Sequence, residues 1–181
     1  MEFVEMVNEQ RPLKMLLVGY AGSGKTFTAL EIARKLGNGK IGILDTENGS
    51  SALYKTNTDN KMYLLKCQEP SYENISKAIS LAVKNGFETL IIDSMSHNWD
   101  WVLALTDKLS TENKSVNSFN VWARLTPREN AMYQAIISAP LNILATVREK
   151  DNYEQVNDGG RIRIKLSGSK IIQRERIVFD F

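Results

Sequence analysis

Cysteine occurs once in these 181 residues and histidine once, which excludes an internal disulfide framework and any metal centre built from several soft ligands. Cys67, closing "YLLKC", reads as a plain core thiol at a strand end. No apolar run approaches a bilayer's thickness, which excludes a helical membrane protein. The N-terminal "MEFVEMVNEQRP" carries three glutamates among short apolar runs and fits neither a secretory signal nor a transit peptide, so a cytoplasmic location is expected. Net charge of one sign is also scarce. At +2 it advertises no polyanionic partner, and contact with nucleic acid would require local clustering. Neither a repeat nor a low-complexity linker is present, and 43% apolar with 24% charged residues is ordinary globular composition. One domain over 1–181 is expected, with 1–11 a leader and 150–181 a hairpin and last strand.

What the chain does contain is a series of short continuous apolar runs alternating with helical patterns. "LKMLLVG", Ile41 to Leu44, "KMYLLKC", "TLIIDS" and "LNILATV" are of the kind that parallel strands covered on both faces require. Between them, Phe27, Leu30, Ala33 and Leu36 recur at helical spacing, and Ile75, Ala78, Ile79, Ala82 and Val83 do so behind Ser71 as cap. "WDWVLALTDKL" predicts a helix and "STENKSVNS" a mobile surface loop after it. "TPRE" from Thr126 has the form of a capping box with proline at the first helical position, which predicts a helix start there. "YEQVNDGGRIRIKL" predicts a hairpin around 157–160 and "RERIVFDF" a last strand. The alternation implies an α/β fold: a mostly parallel sheet with helices on both faces, a C-terminal β-hairpin, and a site at the carboxyl ends of the strands.

The polar motifs fall at those ends. Gly19-Tyr20-Ala21-Gly22-Ser23-Gly24-Lys25-Thr26, followed by Phe27, satisfies G-x-x-x-x-G-K-[ST] between a strand and a helix, the context that makes it a P-loop. Glycines let successive backbone amides face phosphate oxygens, Lys25 reaches the terminal phosphates, and Thr26 can ligate Mg²⁺. A nucleoside triphosphate, ATP, is the expected ligand. Asp93 ends "TLIID" and is the second metal candidate, with a helix cap as the plainer alternative. Hydrolysis needs a group that orients or deprotonates water; Glu47, just past the second strand, is the candidate, with Asp45 competing for the same task.

Taken together, Asp45-Thr46-Glu47 after a P-loop and Asp93-Ser94 at a later strand end resemble the RecA-like ATPases. "DSMSHNW", "ATVREK" and "QRERIVFDF" resemble segments of small phage-encoded proteins of that group, among them the single-strand-annealing recombinase ATPases. The resemblance covers residues 13 to 181 and implies a RecA-like P-loop NTPase in which Lys25, Thr26, Glu47 and Asp93 take nucleotide, metal and catalytic roles. It also implies a homo-oligomer, ring or filament, acting on DNA in the host cytoplasm. Two departures stand out. These residues include no separate N-terminal DNA-binding domain, and "TVREK" follows the fifth strand where the bacterial recombinase has a glutamine, so Arg148 or Lys150 becomes the candidate for a phosphate sensor or a cation reaching a neighbouring subunit.

Arg161, Arg163, Lys165, Lys170 and Arg174 form a stripe with no acid between 159 and 174. Alternation puts the first three on one face, suited to single-stranded DNA or to an adjacent subunit's active site; an edge strand kept soluble by charge is the alternative. His97, beside Trp99 and Trp101, reads as a buried, hydrogen-bonded side chain, with a place near the γ-phosphate as the alternative, and the tryptophans read as packing residues. Three functions remain open at this point: an ATPase coupled to phage DNA recombination or replication, a small P-loop kinase passing the γ-phosphate to a nucleotide or metabolite, and a nucleotide-gated binding module.

Overall fold

The structure, a computed structural model, describes residues 5, 11–47, 49, 61–112, 118–158 and 161–181. Five strands form a parallel sheet: β1 (Lys14–Gly19), β2 (Lys40–Asp45), β3 (Met62–Lys66), β4 (Phe87–Asp93) and β5 (Asn142–Asp158). They lie in the order β1-β5-β4-β2-β3, so the last parallel strand is inserted between the first and the fourth. Because all five run the same way, every carboxyl end opens on one edge of the sheet. The register sets Gly19 beside Arg148 and Asp45 beside Asp93, which brings four distant parts of the sequence within side-chain reach.

The two faces are covered unequally. Helix α1 (Lys25–Leu36) buries Ala29, Leu30 and Ala33 against Ile41, Ile43, Ile91 and Leu144. On the opposite face, α2 (Tyr72–Lys84), α3 (Met95–Glu112) and α4 (Ser118–Ser138) cover Leu44, Leu90, Ile92, Ile143, Ala145 and Val147. Neighbouring residues of β1, β2, β4 and β5 thus alternate between two cores, which is why these strands read as continuous apolar runs; β3, expected to be covered on both faces, is instead an edge strand with Tyr63, Leu64 and Leu65 exposed. Ser71 caps α2 by accepting the Asn74 N–H at 3.2 Å, as its sequence predicts.

Three expected elements differ. Helix α4 does not start at Thr126: it starts at Ser118 and runs through Pro127. Val121 and Leu125 are buried with Met132 and Ile136, so packing extends the helix eight residues upstream, and the Thr126 hydroxyl turns back to the Trp122 carbonyl at 2.9 Å instead of capping. The predicted surface loop is shorter, since Ser110 to Glu112 belong to α3 and Ser118 to α4; positions 113–117 lie outside the described residues. "RERIVFDF" forms no strand. It ends in a short helix, α5 (Ile177–Asp180), because Ile177 is fully buried and Arg174 and Arg176 lie over the rings of Trp122 and Tyr133.

The hairpin is longer than its sequence predicts. "LNILATV" and the hairpin's first arm are one strand, β5, whose far half leaves the sheet and pairs antiparallel with β6 (Arg161–Ile171). The turn glycines 159–160 lie outside the described residues. Cys67 is half-buried rather than enclosed, its thiol donating to the Glu69 carbonyl at 3.3 Å. Trp99 and Trp122 stack at 5.6 Å and pack against the larger core, as packing residues should. No helix among the described residues is long and apolar enough to cross a membrane.

Candidate nucleotide-binding site

The P-loop joins β1 to α1 with the backbone its glycines permit. Gly22 and Gly24 have φ of 76° and 85°, a left-handed conformation that side chains resist, and a Cβ on Gly19 would meet Ser23 Oγ at 2.6 Å. Gly24 begins α1 with no side-chain cap, so the amides of that first turn carry the positive end of the helix dipole toward the loop. Such a terminus is a ready anion site. Lys25 Nζ donates to the carbonyls of Gly19 at 3.0 Å and Tyr20 at 2.8 Å, which folds its ammonium across the loop. Burial lowers its pKa, with nearby Glu47 pulling the other way and Arg148 adding to the fall.

Asp93 is 1% exposed at the end of β4. Its two oxygens accept from different elements: Oδ2 from the Thr26 hydroxyl of α1 at 2.7 Å, Oδ1 from the Thr146 hydroxyl of β5. Burial raises its pKa, the two hydroxyl bonds oppose that rise, and Glu47 and Asp45 reinforce it. Thr26 Oγ1 and Asp93 Oδ2 are hard oxygens, the donor type Mg²⁺ selects, and no group of three or more His, Cys, Asp or Glu gathers among the described residues. A site of few protein ligands suits Mg²⁺ held with phosphate oxygens and water.

Glu47 and Asp45 are separated by depth. Asp45 is 2% exposed and its Oδ1 accepts the Glu47 N–H at 2.8 Å, so it braces the turn; its Oδ2 has no partner among the described residues. Glu47 instead reaches the surface of the cavity, where Oε1 accepts from Arg148 Nη2 at 2.6 Å and Nε at 3.1 Å. Thr46 ties β2 to β4: its Oγ1 accepts the Ser94 N–H at 2.7 Å, lies 3.0 Å from the Asp93 carbonyl and 2.9 Å from His97 Nδ1. The Asp93–Ser94 peptide is cis. His97 is therefore hydrogen-bonded as expected but only half-buried.

Ala21, Gly22, Gly24, Lys25, Thr26, Glu47, Asp93 and Arg148 line one cavity of about 190 Å³. A larger groove of about 330 Å³ between β3 and α2 is apolar and contains none of them. Tyr20 and Phe27 stay exposed at the rim, and Tyr20 donates to Asp151 Oδ1 at 2.9 Å. That hydrogen bond, more than burial, raises the tyrosine's pKa. Lys150 does not join the site: it is exposed on β5 and lies opposite Lys170.

Three participants escape the sequence reading. Thr146 holds Asp93, Ser96 Oγ accepts the Arg148 N–H at 2.8 Å, and Asp151 binds the loop through Tyr20. Only Thr146 left a signal, a lone hydroxyl in the apolar run "LNILATV".

The basic stripe also changes character. Arg174 leaves it altogether, pairing with the buried Glu129 and stacking over Trp122 at 4.8 Å. On β6, Lys165 lies opposite Glu154 in register, so an acid from β5 shares the face that sequence alternation made cationic. Arg163 and Lys165 remain exposed, as do Ile162, Ile164 and Leu166 on the other face.

A parallel sheet with a P-loop at its first crossover and a hydroxyl–carboxylate pair at its fourth strand defines a P-loop NTPase. Residues 11–177 match the family described as AAA domain, and the chain belongs to it, which implies nucleotide binding and hydrolysis as the general activity. No curated protein matches the chain significantly.

Proposed function

We propose that the chain is a Mg²⁺-dependent ATP hydrolase of the RecA-like type, of the small phage-encoded kind that includes single-strand-annealing recombinase ATPases. Residues 1–181 act as one nucleotide-binding unit whose C-terminal ribbon is an appendage. The carrying observation is that a phosphate-loop sequence, the Thr26–Asp93 pair of hard oxygens and the Glu47 carboxylate just past β2 meet in one cavity. In this reading the loop amides and Lys25 hold the β- and γ-phosphates, Lys25 exchanging its loop carbonyls for phosphate oxygens. Thr26 and Asp93 hold Mg²⁺, which when bound neutralises charge on those phosphates. Glu47 orients water and takes its proton as the water oxygen bonds to the γ-phosphorus. The bond from that phosphorus to the bridging oxygen breaks, ADP carries the charge away, and the proton passes from Glu47 to solvent.

Hydrolysis is coupled to DNA recombination or replication in the host cytoplasm, through a homo-oligomer that contacts single-stranded DNA. The exposed Arg163 and Lys165 on the ribbon support a backbone contact, and Lys150 at its base suits a cation offered to a neighbouring subunit. The deciding assay measures phosphate release from Mg²⁺-ATP with and without single-stranded DNA, beside solution mass with and without nucleotide. Release stimulated by DNA from a nucleotide-dependent oligomer is expected. A phosphorylated acceptor in place of free phosphate would replace this reading with a kinase, and tight binding without turnover with a nucleotide-gated module.

A further inference from the structure

Arg148 occupies a position that no phosphate-loop motif describes. It ends the buried part of β5, the strand inserted between β1 and β4, and the register sets it beside Gly19 of the loop. Its backbone is fixed by the bond to Ser96 Oγ at 2.8 Å, so the side chain's reach is confined to the cavity mouth. There its Nε and Nη2 both fall on a single oxygen of Glu47, the carboxylate assigned to water. The pair is partly solvated, with side chains 34% and 19% exposed, and an ion pair open to water is weakly held. A terminal phosphate offers more charge and a better match to the guanidinium fork.

We propose that Glu47 and the γ-phosphate compete for Arg148, so that a bound triphosphate draws the guanidinium off the carboxylate and frees Glu47 to act on water. The inference rests on the reading of Glu47 given above, and it makes Arg148 a positioning residue as well as a phosphate contact. It explains why the base is neutralised where it stands. A diphosphate, lacking the group that competes, leaves the pair closed. Lys25 favours the exchange: it shares the cavity with Arg148, and the two cations repel until a polyanion lies between them.

The test is an equilibrium one. Affinities for a non-hydrolysable ATP analogue and for ADP, both with Mg²⁺, are measured for the wild type, Glu47→Gln, Arg148→Gln and the double variant, with Arg148→Lys as the variant that keeps charge but loses the fork. Glu47→Gln is expected to raise the analogue-to-ADP affinity ratio about tenfold by releasing Arg148, and Arg148→Gln to lower it by a similar factor. In the double variant the gain from Glu47→Gln disappears; Arg148→Lys restores part of the ratio. If Glu47→Gln raises the ratio equally with and without Arg148, the gain is mere removal of a negative charge and the competition is refuted. An unchanged ratio in Glu47→Gln refutes it too. Wild-type turnover by Glu47→Gln would instead remove the water-activating role while leaving these binding ratios to be judged separately.

Discussion

The Thr26 hydroxyl donates to Asp93 Oδ2 across 2.7 Å, linking the first turn of α1 to the end of β4 over 67 residues of sequence. Both atoms face the cavity that the P-loop encloses, and both are the oxygens a Mg²⁺ ion would take. Burying that carboxylate comes at some expense to the fold.

That expense gives a pH prediction. Burial raises the Asp93 pKa, so the native state keeps a proton that the unfolded chain has lost. Its stabilising contribution is complete below the ordinary carboxylate value near about pH 4 and is lost as pH rises through the higher folded value. Asp93→Asn should therefore raise the melting temperature at neutral pH in buffer free of metal and nucleotide, with less gain in acid, while weakening Mg²⁺-dependent triphosphate binding. A lower melting temperature at pH 7 would contradict the assignment.

Lys25→Ala should lose triphosphate affinity by about a hundredfold or more, since one ammonium serves the terminal phosphates directly. Among the described residues the side chain hydrogen-bonds loop carbonyls alone, so thermal stability should move little. Calorimetric titration with the non-hydrolysable analogue measures the first quantity and a melting curve the second.

Arg174→Ala should destabilise the fold by about 3–5 kcal/mol in denaturant unfolding, because Glu129 is 1% exposed and would be left charged without its partner. Glu129→Gln should cost less. A loss near zero for Arg174→Ala would mean that the arginine belongs to the surface stripe after all.

Reversing Arg161, Arg163 and Lys165 to Glu should weaken single-stranded DNA binding and flatten the dependence of log affinity on log salt. Affinity unchanged across the titration would remove the ribbon from the DNA contact.

The inner strands were legible because they are buried on both faces: "TLIIDS" and "LNILATV" admit few other readings, and the spacing of the loop marks a turn between strand and helix that the fold bears out. Ser71 was legible for the same local reason, a cap acting within its own turn. "TPRE" shows the limit. Its residues fit a capping box, yet Val121 and Leu125 gain more by packing on the core, and Pro127 is carried inside the helix as a consequence. The partner of Arg148 was invisible because strand order, not sequence distance, sets β5 between the loop and Asp93. The stripe misled in the same way: alternation along β6 is local, while Glu154 arrives from the paired strand. The C-terminal strand failed because the arginines of "RERIVFDF" have aromatic rings on α4 to cover.

The most direct test of the central claim compares turnover and binding in Glu47→Gln. The account predicts that this variant binds Mg²⁺-ATP at least as tightly as the wild type and releases phosphate about a hundredfold more slowly or worse, as loss of a positioned base requires. Phosphate release at the wild-type rate, with binding intact, would contradict it.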